Sequence, residues 1–176
     1  SIANELSVLS PDKKVKLSFT DDGELAQYRV SFNGEPVLGL GKLGFTFAKA
    51  SPLYRDFKVE EISRNTVDQT WQQPWGEQRD IRDNHNELLV KFYNPSDKDR
   101  TFLVRARVFN DGIGFRYELP ASGNRIITRE LTEFNLVDSH QAKAFWIPAH
   151  GRDRYEYVYQ STNLQDCLLY ISDAAD

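Results

Sequence analysis

The sequence holds one cysteine, no methionine and no run of apolar residues near the roughly twenty that a helix needs to cross a bilayer. Each absence excludes something. A lone Cys167 forms no internal disulfide, so cysteine usage neither demands nor excludes an oxidising compartment. An open reading frame begins with methionine, so Ser1 reads as a processed or engineered start, and the chain is expected to be a piece of something longer. The opening Ser-Ile-Ala-Asn-Glu-Leu has no basic segment followed by an apolar one, hence no signal peptide in these residues. A net charge of -4 with no long run of either sign gives no electrostatic footprint for nucleic acid or an anionic membrane, and neither is expected as a partner. Also missing is any long stripe of 3.6-residue period, which leaves little room for helix.

What is present is alternation broken by turns. With 40% apolar and 12% aromatic residues among 176, the chain can bury one sizeable core, and residues 1–176 are expected to form a single domain. Strands are predicted at Glu5–Ser10 and Lys13–Phe19 around Pro11-Asp12, at Leu25–Phe32 and Pro36–Leu40 around Asn33-Gly34, and at Leu43–Phe47. A β-rich run follows from Phe57 to Trp71. Gln72-Gln73-Pro74-Trp75-Gly76-Glu77 then interrupts it, opening a loop that extends to His85 before a strand at Asn86–Tyr93. Later strands are predicted at Arg125–Arg129, Phe134–Val137, Phe145–Ile147, Tyr155–Tyr159 and Cys167–Ile171. Turns at short, even spacing without intervening helices point to an all-β fold of antiparallel sheets packed as a sandwich.

The clearest hairpin is Arg105–Glu118. A two-residue Asp111-Gly112 turn places Val108 opposite Phe115, Ala106 opposite Tyr117 and Val104 opposite Leu119, so that apolar residues share one face. The competing turn, with Asn110-Asp111 central and Gly112 as a bulge, sets Arg107 against Phe115 and is disfavoured. In the favoured register Arg105 meets Glu118, whereas Arg107 lies opposite Arg116 and requires a neighbouring acid, expected to be Glu130 or Glu133.

Chemistry is sparse. No Gly-x-Ser-x-Gly elbow occurs, and His85, His140 and His150 show no metal-ligand spacing, so each reads as a surface or loop residue. The glycines at 39, 41 and 44 lack the lysine and helix start of a phosphate loop. Glycosidic cleavage takes two carboxylates, and Glu77, Glu87, Glu130, Glu133 and Glu156 are available, but spacing does not say which converge. In Tyr155-Glu156-Tyr157-Val158-Tyr159, strand alternation puts Glu156 on the non-aromatic face. There it reads either as a solvated edge residue or as an oxygen ligand for calcium. Trp71 and Trp75 read either as packing residues or as plates for sugar rings.

Taken in order, five groups of residues resemble the N-terminal domain of glycoside hydrolase family 97. They are Trp71 with Pro74-Trp75-Gly76-Glu77; Arg82 with Asn84-His85-Asn86-Glu87-Leu88; Arg107-Val108-Phe109-Asn110-Asp111-Gly112 with Phe115-Arg116-Tyr117; Glu130-Leu131-Thr132-Glu133-Phe134; and Tyr155-Glu156 with Tyr159. The resemblance spans Leu6 to Leu164. It implies a galactose-mutarotase-like super-sandwich that precedes a catalytic (β/α)8 barrel in calcium-dependent, exported or periplasmic bacterial enzymes cleaving α-glucosides or α-galactosides. In that family the catalytic acids belong to the barrel, so no catalytic residue is expected here, and the Tyr-Glu glutamate, Glu156 in this chain, contributes to the calcium site. The expected partners are the barrel and a carbohydrate substrate. This sequence departs from the family after Asn163-Leu164, where the sandwich looks truncated, with strand edges left open. The alternative is a stand-alone carbohydrate-binding or structural module with Trp71 or Trp75 as the sugar plate.

Overall fold

A computed structural model describes residues 3–77, 79–120, 125–137, 142–147 and 158–164. Four of the predicted strands form the first sheet: β1 (Glu5–Leu9), β2 (Val15–Thr20), β3 (Gln27–Phe32) and β4 (Glu35–Lys42), antiparallel neighbours in chain order. Asn33 and Gly34 turn β3 into β4 with φ of 51° and 85°, the left-handed pair that a tight two-residue hairpin requires. Strand β5 (Phe45–Phe47) leaves this sheet. The second sheet is another meander, made of β6 (Lys58–Gln72), β7 (Asp80–Asn94), β8 (Asp97–Phe109) and β9 (Gly112–Glu118). Strand β10 (Ile127–Glu130) pairs with β5, and β11 (Lys143–Trp146) pairs with β12 (Gln160–Asn163). The described residues group into two compact units that divide after Asn135, the β11–β12 hairpin belonging to the second.

The core lies between the two meanders. Alternate residues of β2 (Val15, Leu17, Phe19), of β7 (Leu88, Val90, Phe92) and of β8 (Phe102, Val104, Ala106, Val108) are buried in one cluster. Aromatic rings form its centre: Phe92 stacks on Phe102 at 5.3 Å, Phe57 meets Phe102 edge-on at 5.5 Å, and Phe19 meets Phe92 at 6.3 Å. Burying a side chain of this size contributes about 1.5–3 kcal/mol. Asp21 joins the sheets through hydrogen bonds, its carboxyl accepting from the backbone N–H of Asn4 at 2.8 Å and of Val59 at 3.1 Å.

Two backbone features differ from expectation. Residues Leu131–Asn135, where a strand at Phe134–Val137 was predicted to start, form an irregular segment along the glycine corner. Leu131 N–H donates to Gly44 O, Glu133 N–H to Lys42 O, and Gly39 N–H to Asn135 O. Glycine makes this approach possible at position 41, where a Cβ would sit 2.6 Å from Glu133 O; a Cβ on Gly44 would instead sit 1.8 Å from Leu53 O, in the turn that follows β5. The second difference is the register of the β8–β9 hairpin. Asn110-Asp111 form the turn, and Gly112 pairs regularly with Phe109. Val108 therefore opposes Ile113, Ala106 opposes Phe115 and Val104 opposes Tyr117. This lies two residues from the expected pairing. A slip of two keeps the same side chains on the core face, so hydrophobic matching cannot tell the two registers apart.

The slip changes which arginines meet. Arg105 lies opposite Arg116, and Arg107 opposes Gly114. The acids that neutralise them are Glu87 and Glu118; Glu130 instead accepts from Thr132, which is hydrogen-bonded to Tyr117, and Glu133 pairs with Lys42. Glu87 accepts from Arg105 Nη1 at 2.8 Å and from Arg107 Nε at 2.9 Å; Glu118 accepts from Arg105 Nε at 2.7 Å and from Arg116 at 2.9 Å. Glu87 is only 7% exposed. Burial pushes its carboxyl up, but the hydrogen bonds from Arg107 and Arg105 outweigh burial and hold it below the ordinary glutamate value of 4.5. Arg105 and Arg116 likewise hold Glu118 below it.

Three outcomes follow for stability. Gly44→Ala, at a φ of +125° and against the Leu53 carbonyl, is expected to cost about 3 kcal/mol in urea unfolding, whereas Gly112→Ala, in open space, changes stability by less than about 0.5 kcal/mol. Glu87→Ala is expected to cost about 1–3 kcal/mol, short of a fully buried pair because Arg107 is half exposed. Carboxyls with depressed values stabilise the fold above their unfolded value and lose that contribution as pH falls through the folded one. Thermal melting is thus expected to be flat from pH 7 to about 5.5 and to fall below about 4.5, with a shallower fall in Glu87→Gln.

Candidate functional site

Strand alternation continues where a loop to His85 was expected. Strand β6 pairs with β7 all the way from Lys58–Tyr93 to Gln72–Asp80, but the pairing of β7 with β8 stops at Asn86–Val108. Six rungs, from Val67–His85 to Gln72–Asp80, therefore extend past the third strand as a two-stranded ribbon about 17 Å long. Its β6 half, up to Trp71, lies within the predicted β-rich run; the β7 half, Asp80–His85, was hidden because charged residues mask the alternation of Ile81, Asp83 and His85 on one face. Cross-strand bonds hold the ribbon: Arg82 forks onto Asp68 with two contacts of 2.8 Å, and Gln72 donates to Asp80 at 2.8 Å.

The two tryptophans separate along this ribbon. Trp71 lies within β6 opposite Ile81 and is 49% exposed; Trp75 sits in the connecting loop and is 85% exposed. The loop closes through Gln73 N–H donating to Arg79 O at 3.0 Å. Gly76 has a φ of +126°, and a Cβ there would come 2.7 Å from the Gln73 side-chain nitrogen, so the loop conformation requires glycine. Gln72, Gln73, Pro74, Trp75, Gly76 and Arg79 line a shallow hollow at the tip.

At the root of the ribbon His85 is 1% exposed, not the surface or loop residue expected. Its Nδ1 lies 2.5 Å from Asp83 Oδ1 and its ring is 5.0 Å from that of Phe109. Its Nε2 is a buried atom with no hydrogen-bond partner among the described residues. The signal was available in the sequence: Asp83 and His85, two apart, share a face once both are placed on a strand.

The remaining sequence candidates are dispersed. Glu133 accepts from Lys42 N–H at 3.1 Å and lies 3.3 Å from Lys42 Nζ, and the Lys42 backbone bond leads in holding its carboxyl below the ordinary range. Glu130 accepts from the Thr132 hydroxyl at 2.7 Å, which leaves the Tyr117 hydroxyl to donate to Thr132 at 2.6 Å. Burial pushes the Tyr117 hydroxyl up, and burial likewise raises that of Tyr28 to about 12 while it donates to Glu133 O at 2.6 Å. Glu77 is exposed in the ribbon loop. No group of three or more His, Cys, Asp or Glu side chains fit to hold a metal gathers among the described residues. Glu156 lies outside the described residues, as do Tyr155 and Tyr157.

Known proteins share this fold and order. A Glycoside Hydrolase Family 97 enzyme from Pseudoalteromonas sp. strain K8, solved in complex with acarbose, is 41% identical with a TM-score of 0.84, over 92% of this chain and 25% of that one. A beta-arabinopyranosidase matches at 23% identity and a TM-score of 0.71, over 88% of this chain and 26% of that one, a likeness of fold. A retaining alpha-galactosidase from Bacteroides thetaiotaomicron is 25% identical over 113 residues, 64% of this chain and 16% of the relative. The chain thus spans about a quarter or less of the proteins it matches. The family described as Glycosyl-hydrolase 97 N-terminal matches residues 8–169, and the chain belongs to that family.

Proposed function

We propose that this chain is the N-terminal β-sandwich part of a calcium-dependent, exported bacterial glycoside hydrolase acting on α-glucosides or α-galactosides, and that it supports the active site of a catalytic barrel while being inactive alone. The observation that carries the reading is the family match over residues 8–169 in a chain covering only 25% of an enzyme it resembles at 41% identity. The carboxyls add support. A general acid needs a carboxyl that stays protonated near neutral pH, whereas Glu87, Glu118 and Glu133 are all held below the usual value by the donors around them. They act as acceptors that fix sheets and turns. Following the family resemblance, the catalytic acids are assigned to the barrel, and Glu156 to the calcium site as one oxygen ligand among several from other segments. Calcium bound there would act as a Lewis acid, orienting the sugar and stabilising developing charge.

The isolated chain is expected to show no turnover of aryl α-glucosides or α-galactosides with calcium present; turnover above a buffer control would place the catalytic acids here. In the full-length polypeptide, Glu156→Gln is expected to weaken calcium binding about tenfold or more, read by calorimetry, and to lower activity. Unchanged calcium affinity would remove Glu156 from the site.

A further inference from the structure

Strand β1 is one edge of the first sheet, and an edge strand carries a row of backbone groups able to take up a further strand. Two bonds fix its phase: Ser10 N–H donates to Val15 O at 2.8 Å, and Asp21 N–H donates to Asn4 O at 3.3 Å. The even-numbered residues of β1 therefore bond to β2, and Glu5, Ser7 and Leu9 turn their N–H and C=O groups outward. Two of these three outward carbonyls are occupied by side chains of the second sheet. Arg64 Nη1 donates to Ser7 O at 2.7 Å, and Asn86 Nδ2 donates to Leu9 O at 2.8 Å.

Both donors are set in place by the fold. Strand β6 carries a bulge between Glu61 and Ser63, so that Glu61 lies opposite Val90 and Arg64 opposite Leu88, both core residues. Regular alternation would send positions 61 and 64 to opposite faces; the bulge puts both on the inner face, at the rim of the seam between the sheets. There Glu61 accepts from Arg64 Nε with both carboxylate oxygens at 2.9 Å. Asn86 opposes the core residue Val108, and its Oδ1 accepts from the Thr66 hydroxyl at 2.9 Å. Each donor thus has one partner that orients it and one carbonyl that it covers.

The sequence of β1 indicates what is kept out. Glu5-Leu6-Ser7-Val8-Leu9 is nearly symmetric about Ser7. Turned antiparallel on a second copy of itself, Leu6 meets Val8 on the inner face and Glu5 meets Leu9 on the other, so no like charges oppose and every outward group finds a partner. We infer that Arg64 and Asn86 form an autoinhibitory clasp on the β1 edge, blocking its pairing with the β1 of a second copy of this chain. Such a pair closes on itself as a two-fold dimer.

The test compares wild type with Arg64→Ala, Asn86→Ala and the double variant in the full-length polypeptide, by sedimentation velocity and by hydrogen exchange over residues 3–10. In wild type, exchange over this segment is expected to be independent of concentration, and Arg64→Lys, which keeps a donor for Ser7 O, is expected to behave as wild type. In the double variant, exchange is expected to slow at least about fivefold between roughly 1 and 100 µM, with a doubling of mass, as mass action favours pairing. Each single variant opens half of the edge and is expected to need about tenfold more protein for the same protection. Concentration-dependent protection already in wild type would overturn the proposal, since the edge would then be open. So would folded variants whose residues 3–10 exchange as in wild type at every concentration, or a doubling of mass without slower exchange there, which would put the contact on another surface. Thermal melting identifies any variant that fails to fold; if the double variant does, the single variants decide.

Discussion

The shared apolar face of two four-stranded meanders is the constraint on which everything else in this unit depends. Phe19, Phe57, Phe92 and Phe102 fill the space between the sheets with rings in edge-on and stacked contact, and every strand order and turn must deliver alternate residues to that seam. The constraint also explains where polar chemistry went. With the inner face closed to charge, Glu87, Arg105, Arg107, Arg116 and Glu118 occupy the opposite face of the second sheet, where adjacent strands put like charges side by side unless an acid lies between them. Glu87 does this for Arg105 and Arg107, and Glu118 for Arg105 and Arg116.

Much of the architecture was legible because turn chemistry and period two are local. Asn33-Gly34 specified its hairpin, and the alternation of Val15, Leu17 and Phe19 specified a core face. What escaped shares one cause: a pattern that repeats every two residues cannot count beyond two. Registers of the β8–β9 hairpin two residues apart bury the same side chains, so the pairing of Arg105 with Arg116 was hidden even though the core face was assigned correctly. The β7 half of the ribbon, Asp80–His85, was hidden for a related reason, since charged residues on either side of Ile81 leave no clear apolar alternation, and Asp80 and Arg82 look like a loop until their cross-strand bonds are seen. The segment after β10 was misjudged because Gly41 allows a close approach that depends on residues some ninety positions apart.

The candidate site was legible only as a family trait. The residues that carry the resemblance fall into two physical classes. Glu87, Arg107, Arg116, Glu130 and Glu133 hold the scaffold together through ion pairs and hydrogen bonds, whereas Trp75 makes no comparable contribution within its own unit. His85 stands between the classes. One nitrogen is tied to Asp83 and the other is buried without a partner, an arrangement that costs on the order of 1–3 kcal/mol unless something beyond the described residues compensates it.

The Asp21 bridge has a consequence for how the two sheets share strain. Every pairing within the two large sheets joins strands consecutive in sequence, so each meander is held by its own short loops. The bond from Val59 N–H to Asp21, by contrast, spans 38 residues and joins the entry of the second sheet to the exit of β2. The same carboxyl holds Asn4 ahead of β1, so one side chain couples the free edge of the first sheet to the start of the second, and a change at Asp21 reaches both.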